Sequence, residues 1–317
     1  MTKLIIQIPC YNEQETLPIT LKDLPRELPG VSTVEWLIVD DGSTDETVRI
    51  AREHGVDHVA RHPINLGLAR AFATGLEASL NLGADIIVNT DADNQYDARD
   101  IPALIQPILD GKADIVVGER PISSIPHFSM VKKMLQRIGS HVVRIASDTS
   151  IPDAPSGFRA MSRRAAMQTH IFSDHTYTLE TIIQAGRKGL AIVSVPIRTN
   201  PDLRKSRLIA SMMGYVSRSA MTILRIFMTY RPLVFFIGLG SIFLGGGFLI
   251  ALRYLFIYLL LDNGSGHIQS LILAVILFNI GFMFVVLGLL ADLISVNRKL
   301  LERVDYNIQQ LMDRMKL

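Results

Sequence analysis

The chain has 317 residues, 49% of them hydrophobic, and a formal charge of only +2. That is long enough for one large or two moderate domains with a substantial core, and too evenly charged for the concentrated basic excess with which proteins hold nucleic acid. A single cysteine, Cys10, excludes an intrachain disulfide framework and a cysteine-rich zinc site, and fits a reducing compartment.

The opening MTKLIIQIPCYNE has one basic residue, an apolar run too short for a signal-peptide core and no small-residue cleavage site, so the N-terminal part is expected to stay in the cytosol. From there, short β-branched or leucine-rich runs alternate with amphipathic stretches: KLIIQI, VEWLIV, DHVA, ADIIV and ADIVV. This pattern predicts βα units around a mostly parallel sheet buried on both faces, an α/β fold. The first helix is expected from Asn12, and the second from GSTDE, where Ser43 and Glu46 make a capping box. A helix over 131–147 precedes PDAPSGFRAMSR, a helical TLETIIQAGRKG and a last strand, AIVSVPI.

Over 209–227 apolar residues recur at helical spacing opposite Ser211, Arg218, Thr222 and Arg225, which predicts an amphipathic helix in a membrane interface. Two uncharged runs follow, 233–252 and 271–291, each with the roughly 20 residues that a bilayer crossing requires. Arg225 and Arg231 precede the first, and Arg298, Lys299 and Arg303 follow the second, so the positive-inside rule puts both termini in the cytosol and only 262–267 across the membrane. Arg253 either sits on the far side or must snorkel there. The glycines at 238, 240, 245, 246 and 247 serve close helix packing rather than a nucleotide loop. Residues 297–317 form either a helix that mediates oligomerisation or a free amphipathic tail. The expected organisation is a catalytic domain over 1–207, a juxtamembrane helix region over 208–231, a two-helix transmembrane domain over 232–296 and a cytosolic C-terminal helix over 297–317.

Open α/β sheets bind ligands at the carboxyl ends of their strands. Three polar clusters fall there: PCYNE (9–13), DDGSTD (40–45) and DADNQ (91–95). Helix capping needs one acid, which Asp97 could supply, and leaves Asp91 and Asp93 unexplained. Two carboxylates at a strand end with no lysine nearby call for a divalent cation. Mg²⁺ or Mn²⁺ takes one or two carboxylates and completes its shell with phosphate oxygens and water, which brings in a diphosphate. Taken alone, DDGSTD reads as a turn with a cap and NLGLARA as a helix start; His62, His141, His170 and His175 lack metal-ligand spacing and read as surface or packing residues.

In series, PCYNE, VDDGSTD, NLGLARA, DADNQYD and SGFRAMSR resemble the inverting family 2 glycosyltransferases of GT-A fold, and among them the polyprenyl-phosphate glycosyltransferases of the dolichyl-phosphate mannose synthase type. The resemblance covers roughly residues 1–207, and the two-span tail is similar to that of membrane-anchored members. It implies a Rossmann-like catalytic domain in which Pro9, Tyr11, Glu13 and Asp41 line the nucleoside site with Asp40 nearby. It implies that Asp91 and Asp93 hold the metal, with Gln95 as an additional ligand. Arg120 and Arg159 would face phosphate groups, Arg159 being equally suited to a structural ion pair. Arg204, Lys205 and Arg207 lie in a basic loop, 198–207, that resembles the family's phosphate-contacting segment without its glycine- and serine-rich composition. Asp153 resembles the family's proposed catalytic base.

The implied reaction transfers one sugar from a nucleotide sugar, UDP-glucose or UDP-N-acetylglucosamine, to undecaprenyl or dolichyl phosphate, with GDP-mannose as the alternative donor. A processive polysaccharide synthase would need a QxxRW sequence, whereas the only tryptophan, Trp36, lies in a strand. A silent membrane scaffold would not need the carboxylate pair. A phosphate monoester has a second pKa of about 6 and carries nucleophilic oxygens near neutrality, so positioning by Arg120 and the 204–207 loop is expected to matter more than a base at Asp153.

Overall fold

The computed structural model describes residues 2–121, 143–144, 147, 149–171, 177–201, 221, 224–225, 228–261 and 268–316. The expected helix over 131–147 and the interfacial helix over 209–227 therefore lie largely outside the described residues, as do Arg204, Lys205 and Arg207. The chain divides into two compact units, Met1–Ser219 and Ala220–Leu317.

The first unit is built on a seven-stranded sheet: β1 (Lys3–Cys10), β2 (Thr33–Asp40), β3 (His58–Arg61), β4 (Ile86–Asn89), β5 (Ile115–Glu119), β6 (Arg159–Ser162) and β7 (Ile192–Pro196), in the order β3-β2-β1-β4-β6-β5-β7. β1 pairs in parallel with both β2 and β4, and β5 with β7. The strand order reverses at β1, so the carboxyl ends of β1 and β4 flank the topological switch point where open α/β sheets take their ligands. Leu4, Ile5, Ile6 and Ile8 are fully buried because helices cover both faces of β1.

One strand departs from the expected parallel pattern. SGFRAMSR, read from sequence as a motif, contains β6, which inserts antiparallel between β4 and β5. The sheet is thus mixed.

The helices of this unit are α1 (Leu17–Asp23), α2 (Thr47–Glu53), α3 (Leu68–Asn81), α4 (Ile101–Leu109), α5 (Arg163–Met167) and α6 (Thr178–Arg187). Two starts differ from expectation. Asn12 has φ 53°, a left-handed conformation that asparagine tolerates but a helix does not, so α1 begins only at Leu17. The Ser43–Glu46 box does not form: Ser43 Oγ accepts a bond from Asn12 N, and Asp45 Oδ1 accepts from Thr47 N at 3.0 Å instead. The expected cap at Asp97 is present, its side chain accepting from Arg99 N across a 3-10 turn, Ala98–Asp100.

The second unit consists of α7 (Pro232–Leu261, 30 residues) and α8 (Ile268–Lys316, 49 residues). At 1.5 Å per residue α7 is about 45 Å long, more than the roughly 30 Å of a hydrocarbon core. Both helices are long and apolar enough to cross a membrane. Their outward faces expose large apolar side chains, Ile242 at 70% and Met283 at 66% among them. Contiguous apolar faces of that extent are stable in lipid and not in water, and the chain is a membrane protein. The helices approach closely where glycines meet: a Cβ at Gly240 would lie 2.9 Å from the Gly281 carbonyl, and one at Gly281 3.0 Å from the Gly240 carbonyl. By contrast, Gly238 and Gly245 face open space. The C-terminal segment is not a separate helix, since α8 runs unbroken from its apolar part to Lys316.

Candidate active site

The loops leaving β1 and β2 are tied together by their own polar groups. Asn12 N donates to Ser43 Oγ (2.9 Å), Thr44 N to Asn12 Oδ1 (2.8 Å), and Glu13 N to Thr47 Oγ1 (2.9 Å). Most of the expected nucleoside-site residues are consumed in this stitching. Pro9 is buried within β1, opposite Val39. The Glu13 carboxylate accepts from Thr16 Oγ1 (2.7 Å), while Asp40, wholly buried, accepts from Ser43 N (3.0 Å) and pairs with Arg61 (3.0 Å). Asp41, 3% exposed, takes the amides of Leu66 (2.9 Å) and Gly67 (2.8 Å) and stands 2.7 Å from His62 Nδ1. Tyr11 alone among them is open to solvent, at 40%. Asp40 and Asp41 therefore fix the loops that form the rim, including the turn ahead of α3.

The segment after β4 is shaped to leave two carboxylates over. Asn94 adopts φ 55°, and its side chain donates to Asp23 Oδ2 (3.0 Å). The chain leaving β7 clamps the same segment: Asn200 Nδ2 donates to Asn94 O (2.9 Å) and Asn200 N to Gln95 O (2.9 Å), while Arg198 pairs with Asp100 at 2.6 Å. Asp93 Oδ1 accepts the Gln95 amide at 3.2 Å, and Asp91 and Asp93 remain half-buried side by side. Burial, then the neighbouring Asp93, push the Asp91 carboxyl up to about 7, against the opposing pull of Arg120 and Arg159. The excess negative field reaches further. Burial and the carboxylates of Glu13, Asp40, Asp45 and Asp91 push the Cys10 thiol well up, and burial together with Asp91 pushes the Tyr96 hydroxyl up to about 12.

Such a pair of hard oxygen donors, held in a field short of positive charge, suits a divalent cation. Among the described residues no group of three His, Cys, Asp or Glu side chains could hold a metal. Asp91 and Asp93 would share the ion with ligands from outside the protein, which is the habit of Mg²⁺ and Mn²⁺ with phosphates and water.

Beneath the pair lies a buried polar network absent from the motifs singled out in the sequence. Gln7 Nε2 donates to Asn89 Oδ1 (2.9 Å), and Asn89 Nδ2 donates to Gly157 O (2.9 Å) and Tyr177 Oη (3.0 Å). Gly157 N in turn donates to Tyr96 Oη (3.0 Å). Gly157 passes so close that a Cβ would sit 2.9 Å from Tyr177 Oη and 3.3 Å from both Asp91 oxygens, so glycine is required there by space. Tyr177 also stacks on Phe72, with ring centroids 3.9 Å apart. The sequence signal for this network is two polar residues, Gln7 and Asn89, inside otherwise apolar strands.

The remaining expected residues separate into two roles. Asp153 is wholly buried, and both its oxygens are taken by the Arg120 guanidinium (Nε 2.8 Å, Nη2 3.0 Å) with the Arg120 amide at 3.2 Å. Arg159, expected to face phosphate or form an ion pair, has neutral oxygens as its hydrogen-bond partners among the described residues. It is fully buried, donating to the carbonyls of Ser156 and Thr178 and to Thr181 Oγ1, beneath the Tyr177 ring. Burial lowers the proton affinity of its guanidinium.

Residues 5–169 match the family described as Glycosyl transferase family 2. The chain is 31% identical over 214 residues to the UDP-N-acetylglucosamine–dolichyl-phosphate N-acetylglucosaminyltransferase of Methanococcus voltae, covering 61% of this chain and 83% of that one. It is 29% identical over 219 residues to the undecaprenyl-phosphate mannosyltransferase of Micrococcus luteus, covering 65% and 88%. The crystal structure of glucosyl-3-phosphoglycerate synthase from Mycobacterium tuberculosis, in complex with Mn²⁺, uridine diphosphate and glucosyl-3-phosphoglycerate, matches with a TM-score of 0.55 at 24% identity, over 70% of this chain and 78% of that one. That likeness carries the GT-A fold.

Proposed function

The chain belongs to glycosyl transferase family 2, and we propose that it moves a single sugar, with inversion, from a nucleotide sugar to a polyprenyl phosphate at the cytosolic face of a membrane. The observation that carries this reading is the pairing, in one chain, of two half-buried carboxylates at the switch point of a GT-A sheet with two helices apolar enough to span a bilayer. A lipid acceptor explains why a transferase should carry such an anchor. Both relatives named above act on lipid phosphates by their names. The name of the Methanococcus relative supports a uridine-linked N-acetylglucosamine donor, beside which we keep UDP-glucose; the name of the Micrococcus relative supports mannose as the second reading, for which we propose GDP-mannose as donor.

Each residue then has a task. Tyr11, exposed on the loop after β1, offers an aromatic face to the nucleoside. Glu13, Asp40 and Asp41 hold the surrounding loops. A divalent cation, Mg²⁺ or Mn²⁺, bound by Asp91 and Asp93 with Gln95 as an additional oxygen donor, would supply positive charge to the departing nucleoside diphosphate. Asp153 grips Arg120 bidentately and aims it, and Arg120 with Arg204, Lys205 and Arg207 attracts and orients the lipid phosphate. A phosphate oxygen forms the new bond at the anomeric carbon as the bond to the diphosphate breaks on the opposite face. No proton must leave the nucleophile, so a carboxylate committed to an arginine is no impediment.

The direct test is a screen of radiolabelled nucleotide sugars with the purified protein and undecaprenyl or dolichyl phosphate. Label should pass to the organic phase with one donor class, and failure with every pair would sink the reading.

A further inference from the structure

The C-terminal part of α8 carries a stripe of a different kind from the lipid-facing surface before it. Ile294, Leu301, Val304, Ile308, Leu311 and Met315 fall on the alternating three- and four-residue spacing of a heptad, with Asn297 occupying the one intervening position. All six are exposed, from 49% at Ile308 to 86% at Met315. Between them stand charged residues of both signs, among them Arg298, Glu302, Arg303 and Asp305.

α7 does not cover this stripe. It begins at Pro232, and the ring of Tyr230 just before it lies 4.5 Å from the Arg298 guanidinium, so α8 extends past the start of α7 by about 18 residues, roughly 27 Å, with a neighbouring face covered at Glu302 (side chain 11% exposed) and the stripe open. An apolar stripe left open over that length is unfavourable in water and calls for a partner. A bilayer surface is a poor one. After Gly288 the helix contains no glycine and no proline to bend it, so it keeps the direction of its membrane-crossing part and stands away from the surface.

A spacing of 3.5 residues fits a partner of the same period, since only there does the stripe stay in contact as both helices supercoil. Two copies inserted in one bilayer with the same topology present their α8 helices parallel and level.

We propose that α8 beyond the bilayer pairs with α8 of a second copy of this chain as a parallel, in-register coiled coil. This rests on the membrane-spanning reading of α7 and α8 and is independent of which sugar is transferred. In a Cys10→Ser background, single substitutions Val304→Cys and Leu311→Cys lie on the stripe, while Arg303→Cys and Gln310→Cys lie off it. Mild copper-phenanthroline oxidation of native membranes should give a band of twice the chain mass from the first two, roughly fivefold more than from the last two, as heptad geometry requires. Separately, Ile308→Asp should turn the wild-type dimer in mild detergent into a monomer by light scattering. Equal cross-linking on and off the stripe, a cross-linked band of any other mass, or a monomeric wild type would overturn the proposal. Alkaline carbonate extraction separates its two supports: protein that stays in the membrane yet fails to cross-link refutes the coiled coil alone, and protein that is extracted refutes the membrane reading along with it.

Discussion

At the scale of residues, the Asp153–Arg120 pair decides between two chemistries. A general base needs a free lone pair aimed at its proton, and Asp153 has both oxygens on one guanidinium inside the protein. With saturating lipid phosphate, Asp153→Asn should therefore cost about tenfold in turnover, the order of one weakened charge-assisted contact. Arg120→Ala should chiefly raise the apparent KM for the lipid. An Asp153→Asn enzyme as inactive as the carboxylate-pair variants at every pH would restore the base. The Asp91–Asp93 pair makes a prediction about stability. A carboxyl whose folded pKa is raised destabilises the fold once ionised, so the penalty grows as pH rises through about 7. Metal-free Asp91→Asn protein should then melt a few degrees above wild type at pH 8, and added Mn²⁺ should raise the wild type alone. Identical melting of both proteins with and without Mn²⁺ would count against a cation site.

Among the elements, the strands were legible wherever burial on both faces wrote a continuous apolar run, as in β1, β2, β4 and β5. β6 was not, because Arg-Ala-Met-Ser begins with a cation that composition assigns to the surface, whereas Arg159 is buried on backbone carbonyls. The start of α1 was missed for a conformational reason, the left-handed Asn12, and the cap of α2 because Ser43 serves the neighbouring loop. His62 was read as a surface or packing residue, and it is packed; its specific role depends on a contact across 21 positions that no local pattern encodes. Bridging Asp41 and Thr74 Oγ1 (2.9 Å), it ties the rim loop to α3. His62→Leu should raise the KM for nucleotide sugar by about tenfold while leaving the lipid KM in place, and His62→Asn, which can still donate to Asp41, should recover part of the loss. A parallel rise in both constants would mean general loosening rather than a nucleotide-side role.

For the whole molecule, the Asp91–Asp93 pair and the two spans were visible because each is a local excess, of charge in one case and of apolar length in the other. The support beneath the pair was invisible because Gln7, Asn89, Gly157 and Tyr177 come from four separate segments. Topology is the global property that the flanking arginines predict. In a Cys10→Ser background, a Ser265→Cys variant in the 262–267 connection should react with an impermeant thiol reagent from outside intact cells, and a Ser43→Cys variant only after permeabilisation. The reverse pattern would invert the protein in its membrane.

The central claim is that this chain joins a sugar to a lipid phosphate through the carboxylate pair, and the anomeric configuration of the product, read by NMR on the lipid extracted after incubation with nucleotide sugar, polyprenyl phosphate and Mn²⁺, tests it most directly. The account predicts a single sugar on the polyprenyl phosphate, inverted relative to the donor, and lost on chelation and in both Asp91→Asn and Asp93→Asn. A retained configuration, a polymer, or undiminished product from those two variants would contradict it.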